Sequence, residues 1–247
     1  LNIKVSQVQA VLDLFDEAAT IPFIASYRKD KTGGLDEVQI QQIEEASKFL
    51  KTFTERKEFI EKAITEQGKM TDELQKKIDN ATTLAALEDI YLPYKPKRKT
   101  KAQTAKENGL EPLSVIMLAQ GSEDVEQTAA QYLNDKITSS EEALSGARDI
   151  IAELINENDV VRAKMRLLFE QKACIQTKVL SDKETEGIKY KDYFDFSEPI
   201  HKIPSHRTMA ILRGFLEGVL RMSIAPVEED ALTLIESIYL GELSPWR

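Results

Sequence analysis

The sequence predicts an all-α fold, with at most a few short strands near the C-terminus. Three observations carry this. Glycine and proline are scarce, 10 and 8 in 247 residues, and a β-rich chain needs both for its turns. Long tracts are rich in Ala, Leu, Glu, Lys and Gln, whose side chains lose little rotamer freedom in a helix. Apolar residues also recur at three- and four-residue spacing, the period of a helix face. At this length, with 42% hydrophobic residues, the chain can bury one or two cores.

The elements follow in order. In "SQVQAVLDLFDEAA", Val8, Val11, Leu12 and Phe15 share a helix face, with Ser6 as the N-cap. "TIPFIASYRKDKTGGLDE" reads as a short apolar helix or turn running into a basic loop broken at Gly33-Gly34. A long helix spans about Asp36 to Gln67, with Val38, Ile43, Ala46, Phe49, Leu50, Phe53, Ile60 and Ile64 as its stripe. Asp36 and Glu37 suit its start and Gly68 its end. At ~1.5 Å per residue it reaches ~48 Å, so it is expected to act as a strut or to pack on more than one neighbour.

Thr71 and Thr83 cap two shorter helices, the second being "LAALEDIY", which Pro93 and Pro96 stop. "AQTAKENG" closes at Gly109, and "LSVIMLAQ" opens near Pro112 and closes at Gly121. Ser122 and Ser140 open helices near 124–134 and 141–157, and Asp159 opens one to about 172. Beyond Cys174 the texture changes. "CIQTKVL" alternates weakly, and Val179–Leu180 reads as a short strand or extended chain. "GIKYKDYFDFSEP" reads as an irregular segment packing Tyr190, Tyr193, Phe194 and Phe196. A helix from Pro204–Ser205, a strand in "VLRMSIAP" and a helix in "EEDALTLIESIYL" complete the chain. It stops at "SPWR" without a low-complexity tail, so a fragment is expected.

Little in the chain points to catalysis, and no enzyme activity, cofactor or metal is expected. There is no phosphate loop, dinucleotide fingerprint, nucleophile elbow or C-x-x-C. The single Cys174 cannot pair internally, and with only His201 and His206 it builds no obvious zinc site. Arg213 and Glu217 read as an ordinary intrahelical pair. No apolar run approaches the ~18 residues of a membrane span. A reducing, cytoplasmic setting is the simplest reading of the cysteine count.

Charge is unevenly distributed. Residues 1–110 hold 18 basic and 18 acidic side chains; residues 111–247 hold 15 and 24, the whole of the net −9. Against that background "LPYKPKRKTK" concentrates Lys95, Lys97, Arg98, Lys99 and Lys101, with Tyr94 beside them and no acid between Asp89 and Glu107. Such a run could contact several phosphates, and Tyr94 could stack on a base. It could equally pair with the acidic half of its own chain or an acidic partner. Arg28, Lys29 and Lys31, before Gly33-Gly34 and a helix start, form a smaller cluster that could hold a phosphate or be a polar loop.

The blocks "IPFIASYRKDKTGGLDEVQI", "LEDIYLPYKPKRKTKAQTAKENGLEPL", "GARDIIAE", "YFDFSEPIHKIPSHR" and "RGFLEGVL" resemble the N-terminal helical region of the bacterial Tex family of transcription accessory proteins. Tex proteins are in turn similar to the core of a eukaryotic transcription elongation factor. The resemblance runs essentially from end to end. It implies an all-α region with a helix-turn-helix-like start, which in the family precedes a YqgF-type domain, helix-hairpin-helix elements and an RNA-binding OB-fold. No catalytic residue carries over.

The expected organisation is a helix-turn-helix-like segment with the long helix (1–68), a helical bundle (69–172), and an irregular aromatic segment plus helices (173–247), truncated before the YqgF-type domain. The function expected is non-enzymatic, sequence-independent contact with RNA or DNA through the nine residues named, within an assembly that includes the family's C-terminal domains. The alternative is a scaffold that docks those domains or the transcription machinery.

Overall fold

The computed structural model describes residues 3–121 and 124–240. Among them are thirteen α-helices and one three-stranded sheet. The chain folds as two compact units, Leu1–Tyr91 and the remainder from Leu92.

The first unit contains α1 (Val5–Asp16), α2 (Ile21–Tyr27), a single helical turn α3 (Lys29–Thr32), α4 (Glu37–Glu66), α5 (Asp72–Asn80) and α6 (Leu84–Tyr91). Ser6 lies inside α1 and does not cap it. The start is held instead by Gln7, whose Oε1 accepts from the Lys4 N–H at 3.0 Å. The same side chain reaches across and donates from Nε2 to the Thr32 carbonyl at 2.8 Å. Gly33, at φ +65°, turns the chain directly beside it; a Cβ there would lie 2.9 Å from Gln7 Nε2.

The 30-residue α4 is ~45 Å long and starts at a reciprocal cap. Asp36 Oδ1 accepts from the Gln39 N–H at 2.8 Å, and Gln39 Oε1 accepts from the Asp36 N–H at 3.0 Å. One end packs on α1 and α2, burying Val11, Leu14, Ile24, Leu35, Ile40 and Ile43. The other end packs on α5 and α6, where Ile60, Ile64, Leu74, Ile78 and Leu87 are buried. The helix therefore does serve more than one neighbour. Its stripe is not continuously buried, however. Phe49 and Leu50 are exposed, because the two clusters cover only the ends, and Val38 in the first turn is exposed as well. Thr71 and Thr83 cap α5 and α6, accepting from the N–H groups of Leu74 (3.2 Å) and Ala86 (3.1 Å).

The second unit begins with a 3-10 turn, Leu92–Tyr94, and an irregular segment. Four helices follow, α7 (Lys101–Glu107), α8 (Glu111–Ala119), α9 (Val125–Ala129) and α10 (Ser140–Glu157). They enclose Ala102, Ala105, Leu110, Leu113, Val125, Ala129, Ala143, Ala147 and Ile150. α10 comes close to α7 at Gly146, where an added Cβ would lie 2.4 Å from Leu110 Cδ1 and 3.3 Å from Ala105 Cβ. Most boundaries differ from the sequence reading by a residue or two, but the helix read at 124–134 ends at Ala129 and gives way to a 3-10 turn over Ala130–Tyr132. Gln120, not Gly121, takes the left-handed conformation after α8 (φ 53°). Asp124 caps α9 and Ser139 caps α10, while Ser122 lies outside the described residues.

α11 (Asp159–Lys172) leads into the sheet of β1 (Cys174–Val179), β2 (Asp195–Pro199) and β3 (Leu220–Ala225), followed by α13 (Glu228–Tyr239); α12 (Ser205–Leu216) connects β2 to β3. The order is β2-β1-β3, antiparallel throughout, with Thr177 opposite both Phe196 and Met222. Ile175 and Thr177 point inward and Gln176 and Lys178 outward, the period-two pattern of a half-buried strand. Tyr190, Val219 and Leu220, with Val179, Tyr193 and Phe194, fill a small core beside the sheet. Arg213 and Glu217 do not form the expected intrahelical ion pair. Glu217 instead pairs with Lys189 at 2.7 Å, which holds its carboxyl below the usual range. Among the described residues no group of His, Cys, Asp and Glu is arranged to hold a metal, and no helix is long and apolar enough to cross a membrane.

Candidate nucleic-acid interface

The basic run belongs to the second unit. Its backbone leaves the helix for a local reason. Pro93 and Pro96 lack the N–H that would continue α6, so the chain makes one 3-10 turn and residues 96–100 have no regular structure. Thr100 then restarts a helix, its hydroxyl accepting from the Gln103 N–H at 3.0 Å. Tyr94 is half-buried, while Lys95, Lys97, Arg98, Lys99 and Lys101 are exposed.

The five cations are not equivalent. Lys97 reaches α10, where it pairs with Glu157 and lies 4.0 Å from Glu153. Glu153 also accepts from the Thr100 hydroxyl at 2.9 Å and pairs with Lys106 at 3.4 Å. Burial works to raise the Glu153 carboxyl, but the Thr100 hydrogen bond and the charges of Lys97 and Lys106 outweigh it and hold it below its ordinary range. These acid side chains are only 15% and 17% exposed, so this is a built network and not a loose surface contact. Lys99 pairs with Glu107 at 2.7 Å and lowers that carboxyl, but both partners are open to water, where such pairs contribute little. Lys95, Arg98 and Lys101 form no ion pair among the described residues. Lys97 thus meets acids of the acidic half of its own chain, Lys99 pairs with the nearby Glu107, and the other three cations face solvent.

The smaller basic cluster lies in the first unit. Lys29 and Lys31 sit on the helical turn α3, not on a loop, and both are exposed. The N-terminus of α4 is already occupied by its own Asp36 carboxylate, so a phosphate here would meet side chains and not the helix end. Arg28 stacks its guanidinium 4.8 Å over the Phe23 ring. Phe23 and Tyr27 lie one turn apart on α2 with centroids 5.5 Å apart, and Tyr27 is 70% exposed. Neither aromatic was singled out from the sequence, where "PFIASY" reads only as part of a short apolar helix or turn. The available signal was their four-residue spacing directly before three cations.

Comparison with known proteins fits this architecture. Residues 1–65 match the Tex-like protein N-terminal domain, and residues 120–242 match the Tex central region-like family. The chain is 45% identical over 239 residues to the Transcriptional accessory protein Tex of Neisseria gonorrhoeae, covering 97% of this chain and 32% of the relative. It is 45% identical over 226 residues to Protein YhgF of Escherichia coli K12, covering 91% and 29%. The human S1 RNA-binding domain-containing protein 1 is 29% identical over 214 residues, covering 83% and 21%. The chain thus spans about a third or less of the length of these relatives. With two family domains in sequence over an all-helical first unit and a helical second unit bearing one small sheet, the chain belongs to the Tex family.

Proposed function

We propose that this chain is the helical part of a transcription accessory protein and makes weak, sequence-independent contact with RNA or DNA without catalysing a reaction. The observation that carries this reading is the irregular, proline-interrupted segment presenting Lys95 and Arg98, with Lys101 at the first turn of α7, all three without acid partners among the described residues. Solvent-facing cations clustered in this way can meet several phosphates without reading bases. The printed names of the relatives, a transcriptional accessory protein and an S1 RNA-binding protein, support a nucleic-acid setting. In a bacterial cell that setting is the cytoplasm. The test is fluorescence anisotropy with labelled single- and double-stranded RNA and DNA 20-mers at low salt. Binding in the micromolar range or weaker is expected, reduced in the variant Lys95→Ala/Arg98→Ala/Lys101→Ala. No binding by the unaltered chain would overturn the reading.

A second reading is a protein scaffold that docks the rest of the family's domains or the transcription machinery. A groove of about 620 Å³ favours it, lined by Ala152, Ile155, Val161, Met165, Phe169 and Ile235 between α10, α11 and α13. Exposed Met209, Phe215 and Leu216 on α12 add apolar surface. Binding of the remaining domains supplied in trans, with no nucleic-acid binding, is the outcome this reading predicts.

A further inference from the structure

We infer that Phe23, Tyr27 and Arg28 form a stacking platform for the bases of a single nucleic-acid strand, with Lys29 and Lys31 contacting its phosphates. This rests on the nucleic-acid reading above and adds to it the strandedness of the ligand and a second contact surface.

The geometry supplies three things a single strand needs. The first is an open aromatic face: Tyr27 is 70% exposed and Phe23 38%, on a helix whose buried side is held by Ile24. The second is a planar cation beside it. The Arg28 guanidinium, 4.8 Å over Phe23 and anchored by donating from Nη1 to the Tyr27 carbonyl at 3.1 Å, is itself a flat surface on which a base can stack. The third is unpaired positive charge at the edge. Lys29 and Lys31 are exposed and form no ion pair among the described residues, and the stretch 20–34 carries three cations against one acid, Asp30. Aromatic faces flanked by cations are the shared design of proteins that bind single strands without reading sequence. A duplex hides its base faces within the stack and could use only the lysines.

The platform is also positioned. Ile24 is fully buried against α4, and Gln7 fixes the turn of α3 through the Thr32 carbonyl at 2.8 Å. The backbone that carries the rings therefore does not have to be ordered when a ligand binds, which removes one cost of association.

The test uses the 247-residue chain and two labelled 12-mers with the same phosphate spacing, oligodeoxythymidylate and an all-abasic strand, read by anisotropy at low salt. The chain is expected to bind oligodeoxythymidylate more tightly than the abasic strand. Tyr27→Ala should weaken the thymidylate complex about five- to tenfold, the lower range for loss of one exposed stacking partner. It should leave the abasic complex unchanged, and Tyr27→Phe should restore thymidylate affinity. Lys29→Ala/Lys31→Ala should weaken both complexes alike. Equal affinity for the two strands, or equal weakening of both by Tyr27→Ala, overturns the platform while leaving electrostatic binding by the chain intact. A melting temperature of the Tyr27→Ala variant equal to that of the parent confirms that any loss is local, as expected for so exposed a ring.

Discussion

If Lys95, Arg98 and Lys101 are the phosphate contacts, their removal must change the salt dependence of binding by a calculable amount. Each phosphate neutralised on a single strand contributes about −0.7 to the slope of log K against log salt. Three solvent-facing cations therefore set a loss of about 2 in slope for Lys95→Ala/Arg98→Ala/Lys101→Ala. Between 50 and 200 mM salt, that difference makes the parent lose about 18-fold more affinity than the variant. The control comes from the network on α10. Lys97→Gln/Glu157→Gln removes one positive and one negative charge that already neutralise each other, so the slope should stay within experimental error. Lys99→Ala should fall between, since its exposed pair with Glu107 can exchange for a phosphate. The assay is anisotropy of a labelled single-stranded 20-mer at four or five salt concentrations. A triple-variant slope within about 0.7 of the parent, less than one phosphate's worth, would refute the assignment. So would a neutral double variant that lowers the slope as much as the triple.

Two further perturbations probe the frame that holds the run. Gly146→Ala places a Cβ 2.4 Å from Leu110 Cδ1, a fully buried side chain. Overpacking costs about 1–3 kcal/mol and the better helix propensity of alanine returns about 1, so a net loss of up to about 2 kcal/mol is expected in urea unfolding. The exposed neighbour Ser145→Ala is the control, and a gain in stability for Gly146→Ala would show that Leu110 can swing aside. The Glu153 carboxyl is held below its ordinary range in the folded chain, so its contribution is present above the unfolded value of about 4.3 and is lost as pH falls through the lower folded value. Thermal melts from pH 6 downward should therefore show a shallower acid transition for Glu153→Gln than for the parent. Parallel transitions would remove Glu153 from the acid-labile set.

Much of the helical frame was legible because its signals are local. Asp36, Thr71 and Thr83 cap the helices that their positions predict, and Gly68 takes the left-handed conformation (φ +66°) just past α4. Such contacts span three or four residues, within reach of a reading along the chain. The small sheet was harder. "DFSEP" forms β2 although its proline and acids argue against a strand, and the order β2-β1-β3 explains why: β2 is an edge, where Pro199 need not donate to a neighbour. Which part of the α4 stripe is buried was not legible for a related reason. Periodicity marks the apolar face, but only the chain's return at α5 and α6 decides which part of it is covered.

The candidate site divides along the same line. The absence of acids between Asp89 and Glu107 marks a cationic segment, and the prolines mark where α6 stops and irregular chain begins. What the segment alone does not reveal is that Glu153 and Glu157, one turn apart on α10, lie against it. Their approach depends on Gly146 letting α10 close on α7, a contact between residues some forty positions apart. Once that contact forms, Lys97 becomes an anchor for the run and no longer a free charge, and Lys99 is loosely held by Glu107. Counting positive charge in a window would assign five phosphate contacts to this segment. Packing pairs two of the five cations and leaves three without an ion pair among the described residues, and Lys97 anchors the run to α10. The same acids that lower the charge of the run therefore also tie its irregular backbone to α10.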